Sequence, residues 1–197
     1  MLVSRAGGQY NDTVKRMNTP MNATQIIWTF TLVLSVIAAC TDLRARRIPN
    51  WLTVPGLFIG LGVHVWLGGW RGALTSLEGA GLALTILLPL VLVRGLGAGD
   101  WKLMGAVGAF LGPWMMLFVL VASAFVTGIV SMVRLIQERR VKTTFSNMWV
   151  LVQGMVTFGL KPNPEISLDT PGLIKLPFGV MVAAGTMICF VATRLVK

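Results

Sequence analysis

The chain has 197 residues, of which 55% are hydrophobic and 12% charged, with a net charge of +10 and a mean hydropathy of +0.76. So apolar a chain cannot cover itself as an ordinary soluble domain, and its length suits one domain with the lipid bilayer as solvent. The basic residues stand in short clusters between apolar runs with no interleaved aromatics, which speaks against nucleic acid as a partner.

Residues 1–23 form a polar tail without the apolar core of a signal peptide. The domain proper is expected over 24–197, all-α and polytopic, with about six transmembrane helices. Helix one is predicted over 24–40, an apolar and uncharged run. Thr41 to Asn50 reads as a loop, broken by Pro49, with Asn50 able to cap the second helix. Helix two is predicted over 51–67 and ended by Gly68-Gly69; its Gly56 and Gly60 have the spacing that admits a close neighbour. Helix three is predicted over 73–93. Helix four comes after a glycine-rich stretch and spans 101–112, closed by Gly112-Pro113. Helix five is predicted over 114–133. Residues 143–160 read as an interfacial or re-entrant segment, residues 161–175 as a loop, and helix six as 177–193.

Cys40 and Cys189 both lie in apolar runs and make no C-x-x-C pair, so neither a disulfide framework nor a zinc site is expected. His64, the one histidine, reads as an interfacial residue near the outer end of helix two. The tryptophans at 28, 51, 66, 70, 101, 114 and 149 read as an aromatic belt. Eleven of the 17 lysines and arginines fall in the connections after helices one, three and five, with Lys175 at the same end. The positive-inside rule then puts those connections in the cytoplasm and both termini outside.

Acidic residues are few: Asp12, Asp42, Glu78, Asp100, Glu138, Glu165 and Asp169. Asp42 ends helix one and Asp100 opens helix four, so topology brings both to the cytoplasmic face. From Asp100 to Gly112 the rise is about 20 Å against a hydrocarbon core of about 30 Å, which sets Asp100 below the near interface. Two carboxylates in one site share a proton, so one can activate a water while the other protonates a carbonyl. That chemistry is peptide hydrolysis and calls for no metal or cofactor. Taken singly, Asp42 reads as a solvated loop residue and Asp100 as a helix-start residue favoured by the dipole. Gly95, Gly97 and Gly99 allow an unwound backbone that a peptide could approach. Lys102 either biases Asp100 electrostatically or reaches to headgroups. Glu78 either pairs with Arg71 or faces an interface.

Three stretches carry a family resemblance: Asp42-Leu43-Arg44-Ala45-Arg46-Arg47-Ile48-Pro49-Asn50-Trp51-Leu52-Thr53, then Gly97-Ala98-Gly99-Asp100-Trp101-Lys102-Leu103, then Leu176-Pro177-Phe178-Gly179. In their order and spacing the chain resembles the type IV prepilin peptidases, the bacterial G-x-G-D membrane aspartyl proteases, over residues 24–195. The resemblance implies Asp42 and Asp100 as catalytic pair, with Gly97, Gly99, Lys102, Pro177, Phe178 and Gly179 shaping the site. It implies a prepilin or pseudopilin substrate, cut behind its short basic leader at the cytoplasmic face of the bacterial inner membrane. No insertion with paired C-x-x-C motifs comes after helix one, so the chain is similar to the short form of tight-adherence (Flp) pilus systems. That departure speaks against the N-methyltransferase activity of longer members. Two other readings compete. A small proton-coupled transporter or channel subunit would string its carboxylates across the membrane depth, and a non-catalytic pilus assembly partner would need neither aspartate.

Overall fold

In the computed structural model, which describes residues 23–92, 95–137 and 177–195, the ordered elements are all α-helices. They are α1 (Ala23–Ala45), α2 (Asn50–Leu92), α3 (Ala98–Gln137) and α4 (Phe178–Leu195), and each is long and apolar enough to cross a membrane. The tail up to residue 22, the segment 143–160 and the loop 161–175 lie outside the described residues.

The described residues fall into four elements where six helices were expected, because two of the elements each join two helices across a single non-helical glycine. Gly69 has φ 57° and ψ −138° inside α2, and Gly112 has φ 73° and ψ 177° inside α3. Only glycine takes such angles without cost. Past Gly69 the chain returns at once, with Gly72 against the carbonyl of His64. In α3, Pro113 comes directly after the bend and lacks the N–H that would continue the helix. A straight α3 would carry Ser123 roughly 35 Å from Asp100. Instead Ser123 touches Gly185, which lies about 1.7 turns along α4 from the residue that bonds Asp42. Each long helix is therefore two limbs.

The first limb of α3 is the hub. Leu103 through Phe110 are all buried, the pattern of a helix surrounded on every side. The first limb of α2 runs alongside it in the same direction, with Gly56 near Ala106 and Gly60 against Ala109 and Phe110. The second limb of α2 runs the opposite way, with Gly79 against Gly108 and Leu84 against Gly105. Between lipid-dissolved helices, close packing through small residues replaces the hydrophobic drive of a soluble core. α4 lies antiparallel to α1, from Gly179 at Asp42 through Thr186 at Ser35 to Phe190 at Trp28.

The bends leave carbonyls unpaired, as helix ends do. His64 answers one of them: it is buried, and its Nε2 lies 2.7 Å from the Phe110 carbonyl, two residues before the bend. His64 stands near the end of its helix, as the sequence suggested, but packed against α3 through that bond. Trp28 is likewise buried rather than in a belt, and Trp101 donates its Nε1–H to the Leu84 carbonyl at 2.7 Å. Trp66, Trp70 and Trp114 are exposed beside the two bends, and Trp51 is exposed at the other end. Trp149 lies outside the described residues.

α1 extends five residues beyond its expected end at Cys40. Arg46, at φ 50°, closes it as a left-handed cap, its N–H donating to the Asp42 carbonyl at 2.8 Å. Arg44 in the last turn suits the negative end of the dipole. This extension puts Asp42 on a helix, where the sequence suggested a loop.

Candidate active site

The site forms where the end of α1 meets the starts of α3 and α4. Asp42, in the last turn of α1, is only 5% exposed. Its Oδ2 accepts a 2.7 Å hydrogen bond from the Gly179 N–H. That donor is free because it belongs to the first turn of α4, whose N–H groups have no partner in their own helix. Pro177 sets the turn, its carbonyl accepting from Val180 N–H at 3.2 Å. The positive end of α4 thus points at a carboxylate. A side chain at Gly179 would be tight, since a Cβ would lie 3.0 Å from the Ala38 carbonyl and 3.1 Å from Asp42 Cβ. Phe178 packs half-buried against the core.

Asp100 is the third residue of α3. Gly97 precedes the helix, and its carbonyl accepts from Trp101 N–H at 3.1 Å. The Asp100 side chain turns back to accept a hydrogen bond from the Gly97 N–H. This is one half of a capping box, the residue three on reaching back to the N–H before the helix, with aspartate in the place of glutamate and no side chain on Gly97 to return the bond. A Cβ on Gly97 would sit 2.9 Å from Asp100 Oδ2, so the position admits only glycine without displacing the carboxylate. Asp42 lies near enough for its charge to bear on Asp100, and Gly99, next to Asp100, packs on Ile48 of the connection that leaves α1 four residues after Asp42.

The glycines differ from expectation. Gly95 and Gly97 lie in non-helical backbone, but Gly99 is helical. Its purpose is close approach: a Cβ there would meet the Ile48 carbonyl oxygen at 3.0 Å and Ile48 Cβ at 3.3 Å. Lys102 is neither over Asp100 nor extended alone, because its Nζ donates to Asn50 Oδ1 at 3.0 Å. Asn50, expected to cap a helix, has its side-chain oxygen on that ammonium. Glu78 is exposed on the second limb of α2, at the level of the Gly112 bend and away from both aspartates, and among the described residues it makes no ion pair with Arg71. Ile48 escaped the reading of the sequence. Its signal was an aliphatic residue coming after two arginines and leading into Pro49-Asn50.

Residues 29–132 match the model of the type IV leader peptidase family, a segment that holds both aspartates and stops short of Gly179. The chain is 32% identical over 138 residues to the prepilin leader peptidase/N-methyltransferase of Escherichia coli (strain K12), covering 66% of this chain and 59% of that protein. It is 25% identical over 127 residues to prepilin peptidase EppA of Methanocaldococcus jannaschii, covering 60% of this chain and 36% of that protein. The chain therefore matches less than two thirds of the length of either relative. No solved structure matches it.

Proposed function

The chain belongs to the type IV leader peptidase family, and from that premise we propose that it is an aspartyl endopeptidase that removes the leader of prepilin-like substrates with Asp42 and Asp100. The observation that carries the proposal is their convergence. Two carboxylates from separate helices stand at one end of an apolar bundle, the Asp42 charge bearing on Asp100 and each carboxylate accepting from the N–H of a glycine. One carboxylate takes a proton from a water whose oxygen attacks the scissile carbonyl carbon. The other gives its proton to the carbonyl oxygen. Collapse of the tetrahedral species breaks the C–N bond, and the amine leaves with a proton from the dyad.

The two limbs of α2 and of α3 each cross the membrane in this reading, giving six crossings with α1 and α4. The Asp42–Asp100 end faces the cytoplasm of a bacterial inner membrane, in keeping with Arg44, Arg46, Arg47 and Lys102 at that end. The connection between α1 and α2 is only residues 46–49. It has no room for an inserted cysteine-rich module, which favours a short-form, Flp-type peptidase without methyltransferase activity.

The test is co-expression with a prepilin in a host lacking its own peptidase, read by gel shift and by the mass of the new N-terminus. Wild type and Glu78→Ala cleave and leave an unmethylated N-terminus, whereas Asp42→Ala and Asp100→Ala accumulate normally and do not cleave. Cleavage at the wild-type rate by either aspartate variant overturns the dyad. A folded wild type that cuts no prepilin, yet moves protons across vesicles, would favour the transporter reading.

A further inference from the structure

We infer that the connection between α1 and α2 is a clamp that fixes the separation of the two carboxylates, with Ile48, Asn50 and Lys102 as positioning residues. The inference rests on the dyad reading above. Asp42 and Asp100 sit on different helices, separated by more than fifty residues of chain, yet their catalytic use demands a fixed spacing. The connection supplies a shorter mechanical path. It leaves α1 within a turn of Asp42, where Arg46 at φ 50° redirects it. Leu43 through Arg47 are exposed. Ile48 then turns inward, 8% exposed and within the hydrophobic core.

From there the connection, with Asn50 that opens α2, grips the start of α3 at two points on either side of Asp100. Ile48 meets Gly99, where even a Cβ would lie 3.0 Å from the Ile48 carbonyl oxygen. Asn50 Oδ1 accepts from Lys102 Nζ at 3.0 Å. The residue before Asp100 and the second residue after it are therefore both held by a segment anchored to Asp42. Lys102 makes no ion pair with Asp100 in this arrangement, so its influence on the carboxylate runs through Asn50. The grip also assigns a task to residues flanking the aspartates that the hydrolytic chemistry does not itself use.

The test uses the full chain in lipid nanodiscs, with kcat and KM on a leader-bearing substrate and thermal midpoints alongside. Asn50→Ala and Lys102→Met each lower kcat about 10-fold and leave KM within about twofold. The double variant is no slower than the slower single, because both changes open the same grip. Lys102→Arg, which keeps a donor, retains most of the rate, and Ile48→Val retains far more than Ile48→Ala. Multiplying losses in the double variant overturn the clamp. So does a rise in KM at constant kcat, which would put Lys102 on the substrate.

A second arm is free of catalysis. In a chain with Cys40→Ser and Cys189→Ser, Asp42→Cys and Asp100→Cys are oxidised to a disulfide and the rate is followed. Adding Lys102→Met slows the oxidation at least about fivefold if the clamp sets the separation, and equal rates overturn it. A wild type that cuts nothing counts against the dyad, while this arm still decides the clamp.

Discussion

Each carboxylate of the site accepts from the N–H of a glycine, and each glycine stands where a Cβ would press on its surroundings. Gly179 donates to Asp42 and is walled in by Ala38 and Asp42 itself. Gly179→Ala is expected to lower kcat about 100-fold, since the added methyl must move α4 or Asp42 by a few tenths of an ångström or more. Steady-state cleavage at matched protein levels checks this, and a rate within twofold of wild type would contradict it. His64 supplies a contrast, because its bond to the Phe110 carbonyl is structural. His64→Ala leaves a buried acceptor unpaired at a cost of about 1–3 kcal/mol. Its thermal midpoint should fall while the rate per folded molecule holds. Asp42 and Asp100 were legible in the sequence because carboxylates are scarce there. Their glycine partners were legible only as motif, since no sequence pattern states which N–H a carboxylate will meet.

At the scale of the helices, glycines sort by what faces them. Gly79 lies against the backbone of Gly108 and Gly112, whereas Gly81, two residues on, has nothing within 4 Å. Gly79→Ala should separate the second limb of α2 from the hub, at about 1–3 kcal/mol. Gly81→Ala should be neutral or gain up to about 1 kcal/mol through helix propensity. Thermal unfolding of the two variants in one detergent separates these outcomes, and equal midpoints would contradict the packing described. The apolar segments themselves were readable from hydropathy. Two breaks, at Gly68-Gly69 and Gly112-Pro113, fall where the chain bends, whereas the end at Cys40 and the start at Trp101 do not, because they relied on residue type alone. Thr41 to Ala45 stay helical since Arg46, not Pro49, ends the helix. Gly69 reverses the chain at a single residue because glycine's left-handed angles need no loop. Gly99 is helical, and its lack of a side chain lets Ile48 pack on it.

For the whole molecule, the hub limb of α3 organises both ends. It carries Asp100 at one end and the Gly112 bend at the other, with Phe110 holding His64 beside it. If the limbs cross the membrane as proposed, Arg46→Cys in a cysteine-free background is labelled by an impermeant thiol reagent only from the cytoplasm. Trp70→Cys is then labelled only from outside, and labelling of both from one side would contradict six crossings. The peptidase function proposed for this bundle depends on two aspartates forming one hydrolytic unit. The sharpest probe of that unit is the turnover of a leader-bearing substrate by the purified chain in nanodiscs, for wild type, Asp42→Asn, Asp100→Asn and the double variant. A dyad requires that each single change removes on the order of 10³-fold of the rate and that the double loses no more, because the pair acts as a unit. A single variant that turns over at the wild-type rate, or losses that multiply in the double, would be incompatible with it.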